Sequence, residues 1–524
     1  MGIDPRTPVL VGVGQVTNRP PWAGQEDPPP PPPGVDPAAA HPMDLPDAEP
    51  LTLMVAAAHR AAADAGEGPG AALLKRTDSV RVVAPLSWPY TNAAAPLAGQ
   101  LGCAPRELAQ GTIGGNTPLA IIAASADAIT AGQLDVVLVA GAECLGSRMA
   151  HRRAAGGEPP WTVQGPDTPA PLRLGTDRDP VTDEERAAGL LTPVLTYPLF
   201  EVARRAAAGR SPVDHRRLVG NLWARFAAVA AANPWAWDHR RWEADALTTP
   251  GPANRMLATP YTKHLVANDR VDQGAALLLC SVEAARAAGV AEERWVFPWS
   301  VAEATDHWYL TNRWDLGRSP AIAAAGARVF ATTATSAGEV AHVDLYSCFP
   351  CAVEMGAEAL GLGLDEPDRP LTVTGGLTFF GAPINSYALH GIAQMALELR
   401  ADPGSLGLTT ALGWYATKHA VGLWSTRPPA AGWQHHSVQD EVDAQPVRQG
   451  APEHVGPATI ETCTVSHDRA GQPQRAVAAL LTADGRRTWG TSTDPEVMAE
   501  LAGADTEPCG RQAMVDEGRV LHLR

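Results

Sequence analysis

The clearest hydrophobic pattern in the chain lies between Thr112 and Glu143. Asn116 or Thr117 serves as the N-cap of a helix, and Gly132 ends it. The continuous apolar run 136–140 that follows is typical of a buried parallel strand. Apolar residues fall on one face of the predicted helix at Leu119, Ile122, Ala126 and Ile129. The pattern therefore predicts a turn, a helix and a central strand.

Alternating strand and helix patterns fill two larger stretches of the chain. In the first stretch, apolar runs at 8–14 and 79–84 predict strands, and an Ala-rich segment at 51–65 predicts a helix. In the second, predicted strands and helices follow one another through 296, 319–332, 343–346, 352–360, 371–374, 384–400 and 406–415. This alternation predicts an α/β fold with parallel sheets covered by helices.

Irregular regions divide the chain into five predicted segments. Between 146 and 260, proline-rich pieces separate helical stretches such as 212–232, which predicts a helical insertion. Turn residues and Pro fill 428–452, which predicts a linker, and short alternating runs beyond it predict a small antiparallel β domain. The proline-rich segment 19–50 favours an extended covering loop. The predicted boundaries are 1–145, 146–260, 261–427, 428–452 and 453–524.

Composition and charge exclude several classes of protein. The formal net charge is −16, whereas a general nucleic-acid binder needs a net supply of Lys and Arg on its contacting face. The seven cysteines show neither metal-ligand spacing nor the density of a secreted disulfide framework, which favours a reducing compartment. No apolar run approaches the roughly 20 residues that span a bilayer, and no signal-peptide pattern opens the chain. We expect a cytoplasmic protein without nucleic-acid partners or membrane insertion.

The glycines at the start of the central helix predict a ligand contact. Gly114 and Gly115 have no Cβ, so their backbone can approach a ligand closely. The helix N-terminus adds free N–H groups and the positive end of a dipole, which favour an oxyanion or a thiolate. We therefore predict that Gly114 and Gly115 bind substrate.

Two motifs resemble those of the thiolase superfamily. The sequence AGAE at 140–143 resembles the Gly-Gly-x-Glu segment of these enzymes, and DQGAA at 272–276 resembles the signature that follows their loop domain. The extra C-terminal segment is similar to that of the actinobacterial thiolase-like proteins of type 1. The resemblance implies a duplicated βαβαβαββ core, a loop-domain insertion and a small OB-like β domain. It also implies a CoA thioester as substrate, with no tightly bound cofactor and no metal.

The residues that carry thiolase chemistry are replaced in this chain. Gly114 stands where the family has its nucleophilic Cys, and Ala411 stands where the second Cys belongs. Ala382 replaces the His of a Gly-His-Pro motif. Tyr346 replaces the Asn or His of a further motif, whose Cys-Phe half remains as Cys348-Phe349. The scaffold therefore resembles a thiolase without its Cys-His-Cys machinery.

Other side chains are candidates for chemistry at this site. Tyr346 can hold a thioester carbonyl by donating a hydrogen bond, or act as an acid or base if its pKa is lowered. His390 follows the Gly381-Ala382-Pro383 turn on a helix, and we predict that it pairs with Tyr346. Asn116 is predicted to bind the thioester oxygen. The remaining predicted substrate contacts are Cys348, Asn385 and His419. A buried structural position is the alternative for Tyr346, His390 and Cys348, and a surface position is the alternative for His419.

Three functions stay open at this point. The first is cleavage or formation of a C–C bond in an acyl-CoA thioester without a Cys nucleophile, by analogy with thiolase-like steroid side-chain aldolases. The second is an acyltransferase of the acetyl-CoA acetyltransferase type with a rearranged site. The third is non-catalytic binding of CoA or lipid. The expected assembly is a monomer or a homodimer, with the monomer preferred.

Overall fold

The computed structural model describes residues 2–20, 29–31, 35, 41–45, 48–503 and 507–523. Most of the proline-rich segment 19–50 lies outside the described residues, so the predicted covering loop stays a prediction. Among the described residues, no helix combines the length and the apolar character needed to cross a membrane.

Strands and helices alternate through the first half of the core, and the insertion that follows is mostly helical. The first half contains β1 (Pro8–Thr17), α1 (Pro50–Asp64), α2 (Glu67–Lys75), β2 (Ser79–Val82), α3 (Ala94–Leu101), β3 (Glu107–Gly111), α4 (Thr117–Thr130) and β4 (Val136–Cys144). The insertion contains α5 (Leu145–Ala155), β5 (Leu172–Leu174), α6 (Asp183–Ala188), α7 (Pro193–Ala207), α8 (Pro212–Ala232), α9 (Ala244–Thr248), β6 (Met256–Ala258) and β7 (Tyr261–Thr262).

The second half repeats the alternation and is followed by a β-rich C-terminal region. The second half contains β8 (Asp272–Ser281), α10 (Val282–Ala288), β9 (Phe297–Thr305), α11 (Pro320–Thr333), β10 (Val340–Asp344), α12 (Pro350–Leu360), α13 (Gly376–Phe379), α14 (Tyr387–Ala401), β11 (Leu406–Gly413) and β12 (Lys418–Ser425). The C-terminal region contains β13 (Gln434–Ser437), α15 (Gln439–Asp443), β14 (Gly456–His467), β15 (Pro473–Leu481), β16 (Arg487–Ser492), α16 (Pro495–Ala502), β17 (Gln512–Val515) and β18 (Leu521–Leu523).

Two mixed sheets form the core. The first has the strand order β1-β8-β4-β2-β3-β5, and the predicted central strand at 136–140 is part of β4. The second has the order β10-β11-β12-β9-β13. Its last strand, β13, lies within the segment 428–452 and runs parallel to β9. Both sheets contain parallel and antiparallel pairs, so the core is a mixed α/β fold.

Helices α4 and α14 lie between the two sheets. Each contacts strands of both sheets, and the two helices also contact each other. Their apolar side chains, among them Leu119, Ile122, Leu389 and Ile392, share one buried cluster with strand residues. Helix α1 covers the outer face of the first sheet, and α11 covers that of the second. The N-terminal ends of α4 and α14 therefore reach the same part of the interior.

The strand predicted at 371–374 does not form. One side-chain hydroxyl and one backbone N–H of this segment bond to a buried carboxylate instead: Thr372 Oγ1 and Val373 N donate to Asp344 Oδ1 at 2.9 and 3.1 Å. Local apolar residues predict a strand at this place, but Val373 N donates to the carboxylate at the end of β10, and Thr374 N donates to Thr372 Oγ1 at 3.2 Å. The segment is therefore an irregular connection to α13.

The C-terminal β domain is an antiparallel sheet in the order β16-β15-β14-β17-β18. Strand β14 also bonds to the insertion, because Ser466 pairs with Ala258 of β6 and Thr259 N donates to Val465 O at 2.9 Å. Helix α7 packs against β14, and Thr462 Oγ1 donates to Leu199 O. The domain is therefore joined to the helical insertion by both hydrogen bonds and packing.

Candidate active site

A cavity of about 1620 Å³ lies where the insertion meets both halves of the core. Predicted site residues from both halves line it: Gly114, Gly115, Tyr346, Cys348 and Asn385. The first two precede α4, and Asn385 lies in the short 3₁₀ turn that precedes α14. The ends of the two central helices thus bring these residues together.

The Gly114-Gly115 turn is held in place by Asn385. Gly114 has φ +144°, a conformation that favours glycine, and its N–H donates to Asn385 Oδ1 at 3.0 Å. Asn385 Nδ2 in turn donates to Ala84 O at 2.9 Å. Asn385 is almost fully buried. The amide thus connects the turn to the end of β2 and leaves little freedom for either.

Tyr346 occupies the space beside Gly115. A Cβ at position 115 would lie 2.2 Å from the Tyr346 hydroxyl and 2.5 Å from Leu412 O, well inside van der Waals contact. Any side chain at position 115 therefore conflicts with the present position of the tyrosine. The hydroxyl of Tyr346 stands at the start of α4, against the turn that the sequence marks for ligand contact.

The Tyr346 hydroxyl is a neutral hydrogen-bond donor. Burial raises its pKa above the ordinary range, which is the opposite of the shift that a tyrosine base needs. Its nearest recorded acceptor is Ile384 O at 3.5 Å, the outer limit of a hydrogen bond. The backbone is fixed more firmly, because Tyr346 N donates to Thr410 Oγ1 at 2.8 Å. The hydroxyl is thus positioned and protonated, with a weak partner.

Cys348 is the one cysteine of the seven that lines the cavity. Burial raises the pKa of its thiol to about 12. Since the thiolate is the reactive form of cysteine, this thiol is a poor nucleophile at neutral pH. Its position next to Tyr346 is compatible with substrate contact.

Three other predicted residues lie outside the cavity lining. His390 is fully buried in α14, with Nδ1 3.0 Å from Gln15 Oε1, and burial lowers its pKa to about 3. His419 Nε2 lies 3.0 Å from Ala416 O and 3.2 Å from Asp306 Oδ2. The Oδ1 atom of Asn116 is buried and has no hydrogen-bond partner among the described residues. The structure therefore does not place His390 or His419 beside Tyr346.

The N-cap of α4 also differs from the expectation. Asn116 occupies the N-cap position, but its side chain makes no capping hydrogen bond. Thr117 Oγ1 donates to Thr112 O at 2.8 Å. Within the described part of the chain, no hydrogen bond is recorded for the Gly115 N–H, which leaves it available to a ligand. The helix N-terminus therefore offers a backbone donor.

The carboxylates of the two recognised motifs hold backbone segments. Glu143 accepts from the N–H groups of Leu86 and Ser87 at 2.8 and 2.7 Å. Asp272 accepts from Ser147 N at 3.0 Å and from Asn18 Nδ2 at 3.2 Å. Burial raises the pKa of Glu143 to about 7 and that of Asp272 to about 6. Leu86 lines the cavity, whereas Glu143 and Asp272 do not. These two acids therefore act on the site indirectly, by holding the backbone segments beside it.

The sequence left a local basic patch for an anionic ligand open but did not show which residues form it. Seven basic side chains line it, namely Arg19, Arg153, Arg240, Arg255, Lys263, Arg270 and Arg469, against the two acids Asp238 and Asp269. Within the described ranges, five of these cations form no ion pair: Arg153, Arg255, Lys263, Arg270 and Arg469. No sequence pattern reveals these five unpaired cations, because they come from five separate loops and helices. The cavity is thus cationic in a chain with net charge −16.

Glu201, His215 and Glu354 form a second buried group. One ligand atom of each lies within 4.8 Å of the others, so these side chains could hold a metal ion. Tyr261 donates to Glu201, and Arg210 donates to Glu354 at 3.4 Å. Burial and the neighbouring Glu201 carboxylate raise the pKa of Glu354. The same contacts form an ion network that joins α7, α8 and α12 without a metal.

Two sheets enclosing two helices, with a cavity at the helix N-termini, define a thiolase-like fold, and solved structures agree. The acetyl-CoA acetyltransferase from Syntrophomonas wolfei is 14% identical with a TM-score of 0.54, over 80% of this chain and 99% of that one. An Ltp2-ChsH2(DUF35) aldolase is 18% identical with a TM-score of 0.57, over 81% and 99%. At these identities the likeness shows the fold alone.

A more similar structure defines the family. The monomeric SCP2-thiolase-like protein type 1 from Mycobacterium smegmatis is 31% identical over 100% of both chains, with a TM-score of 0.81. Residues 437–518 match the family model of the thiolase-like protein type 1 additional C-terminal domain. A comparison with curated protein sequences gives no significant match. The chain belongs to the SCP2-thiolase-like protein type 1 family.

Proposed function

We propose that this protein acts on an acyl-CoA thioester, cleaving or forming a C–C bond next to the thioester carbonyl without a cysteine nucleophile. One observation carries the proposal: the Tyr346 hydroxyl stands against Gly115, in the wall of a large cavity at the N-terminus of α4. The cationic lining supports an anionic ligand of the size of CoA, whose phosphates pair with Arg and Lys.

Tyr346 and Gly115 hold the thioester oxygen in this proposal. The tyrosine donates from its neutral hydroxyl, and Gly115 donates from its backbone N–H at the positive end of the α4 dipole. Two fixed donors in a largely buried place stabilise the negative charge that develops on the oxygen when an enolate forms. Cys348 contacts the acyl group as a protonated thiol.

Retro-aldol cleavage of a β-hydroxyacyl-CoA uses these donors directly. The β-hydroxyl gives its proton to water in the cavity, the bond between Cα and Cβ breaks, and the electron pair of that bond enters the thioester enolate. Cβ leaves as an aldehyde or ketone, and Cα takes a proton back from water to give the shorter acyl-CoA. No oxidant, reductant or covalent enzyme intermediate is required. The expected base His390 is not part of this proposal, because it lies outside the cavity lining.

An acyltransferase of the acetyl-CoA acetyltransferase type needs an acyl carrier on the protein. Cys348 is the thiol at the cavity, and a pKa of about 12 leaves it almost entirely protonated at neutral pH. The thiolase position for that thiol is a glycine, and its neighbour Gly115 has no room for a side chain. The arrangement therefore favours the lyase class over the transferase class.

Binding without catalysis is a second candidate function. The observation that favours it is that neither of the predicted histidines, His390 and His419, lines the cavity. A CoA-binding protein needs the cationic lining and the acyl pocket, but it needs no base. The two functions differ in one outcome, which is whether substrate is converted.

The experiment is a panel of β-hydroxyacyl-CoA and β-ketoacyl-CoA compounds, with products identified by mass spectrometry. We expect cleavage of at least one β-hydroxyacyl-CoA by the wild-type protein. Removal of an oxyanion donor typically lowers turnover by about 10²–10³-fold, so Tyr346→Phe should lose about that factor with little change in CoA affinity. Tyr309→Phe is the matched control, because Tyr309 does not line the cavity. Full activity of Tyr346→Phe would remove the assigned role.

A further inference from the structure

The C-terminal β domain reaches the cavity through one turn. Strands β14 and β15 are joined by residues 468–472, and Arg469 of this turn lines the cavity. Asp468 Oδ1 accepts from the N–H groups of Ala470 and Gln472 at 2.8 and 2.9 Å. The aspartate therefore fixes the conformation of the turn and keeps Arg469 at its exposed tip.

The turn lies beside a second cationic segment, in the helical insertion. Arg255 Nη1 donates to Asp468 O at 3.3 Å, next to Arg469 in the chain. Lys263 N donates to Arg255 O at 2.9 Å. Three basic residues from two different domains thus meet where the β6–β7 hairpin joins β14, and all three line the cavity.

These three charges have no carboxylate partner within the part of the chain that the structure describes. The nearest acid in the sequence, Asp468, directs its carboxylate to the backbone of its own turn and to Gln474. Positive side chains held near one another without an acid repel, and the arrangement becomes favourable when an anion binds. Arginine presents a planar fork that matches phosphate oxygens, and lysine adds a point charge.

We propose that Arg469 of the C-terminal domain, together with Arg255 and Lys263, forms a phosphate-binding subsite at the mouth of the cavity. The identity of the ligand as CoA rests on the proposed function above. The subsite gives the additional domain a direct role in ligand recognition, because Arg469 comes from that domain and the other two cations come from the insertion. The ligand would bridge the insertion and the C-terminal domain.

The test is calorimetric titration of the full-length protein and its Arg469→Gln variant with CoA, dephospho-CoA, pantetheine and inorganic diphosphate. Arg469 is exposed, so its substitution should leave the fold intact. A charge-assisted hydrogen bond of ordinary strength corresponds to at least about a tenfold change in Kd. We expect the variant to bind CoA at least about tenfold more weakly and pantetheine unchanged. Lys263→Gln should add to this loss, and Arg76→Gln, an exposed charge away from the cavity, should have no effect.

Dephospho-CoA then identifies the phosphate group. A loss that disappears with this ligand assigns Arg469 to the 3′-phosphate, and a loss that persists assigns it to the diphosphate; either result supports the subsite. An unchanged Kd for CoA would overturn the proposal. An equal loss for CoA and pantetheine would overturn it too, because the effect would then come from cavity shape.

The diphosphate titration separates this inference from the proposed function. If wild-type protein binds diphosphate through Arg469 but does not bind CoA, the subsite stands and the acyl-CoA function fails. If wild-type protein binds CoA with no dependence on Arg469, the function stands and the subsite fails. Binding of neither ligand at millimolar concentration would reject both.

Discussion

A Cβ on Gly115 would lie 2.2 Å from the Tyr346 hydroxyl, so the two residues are sterically complementary. The glycine belongs to the first half of the core and the tyrosine to the second. Their contact is therefore a point at which the two halves fix each other, and it is also where the proposed chemistry takes place. Changes at either residue should depend on the other.

Gly115→Ala should destabilise the protein by about 1–3 kcal/mol, because the added methyl group overpacks the site. Tyr346→Phe removes the nearest obstructing atom and should recover part of that loss in the double variant. Denaturant unfolding of the four proteins in a double-mutant cycle measures the coupling. Gly99→Ala is the control, since nothing lies within 4 Å of a Cβ there. Strictly additive free energies would show that the contact does not constrain the site.

His435 predicts a pH-dependent contribution to stability. Burial alone would lower its pKa, but its hydrogen bonds with Asp127 at 2.6 Å and Glu303 at 3.3 Å outweigh this and raise the pKa to about 9. Because folding favours the charged form, the stabilisation is fully present below the unfolded pKa of about 6.5 and is lost as pH rises through about 9.

His435→Gln should therefore lower the free energy of unfolding near pH 6 and have a much smaller effect near pH 10. Urea unfolding at both pH values measures the difference. The exposed His59→Gln serves as the control for replacing a histidine. An effect of His435→Gln that grows with pH would contradict the sign of the predicted shift.

The buried group Glu201, His215 and Glu354 predicts unequal effects of two similar substitutions. Glu354→Gln should be the less destabilising change, because burial and the neighbouring Glu201 carboxylate raise the pKa of Glu354 and so favour its protonated form, which glutamine resembles. Glu201→Gln should be the more destabilising change, because it removes the carboxylate that accepts from Tyr261 and contacts His215. Thermal and denaturant unfolding of both variants give the order, and a larger loss for Glu354→Gln would contradict this prediction.

We predict a monomer in solution. Strand β5 of the insertion pairs with β3, from Ala109 with Leu172 to Gly111 with Leu174, and so covers an edge that would otherwise be open to a second chain. Light scattering across a dilution series should give 54.9 kDa throughout. A mass of twice that value, falling on dilution, would show that the edge is not sufficiently covered.

The sequence predicted local structure better than long-range assembly. Helix α4 and strand β4 follow from periodicity. The glycines before α4 line the cavity, and their contact with substrate stays a prediction. The orientation of His390 does not follow from its position eight residues after Ala382, because only packing between two sheets decides which helix face meets the cavity. The prediction of a strand at 371–374 was wrong, because the Asp344 carboxylate accepts a hydrogen bond from the backbone of this segment. Arg255, Lys263 and Arg469 meet only in the folded chain.

Mass spectrometry of one quenched reaction tests the central claim most directly. The wild-type protein is incubated with the β-hydroxyacyl-CoA that the panel selects, and protein and small molecules are weighed together. The account predicts a shortened acyl-CoA and a carbonyl product, with the protein mass unchanged. A stable acyl group on the protein, mapped to Cys348, would contradict it.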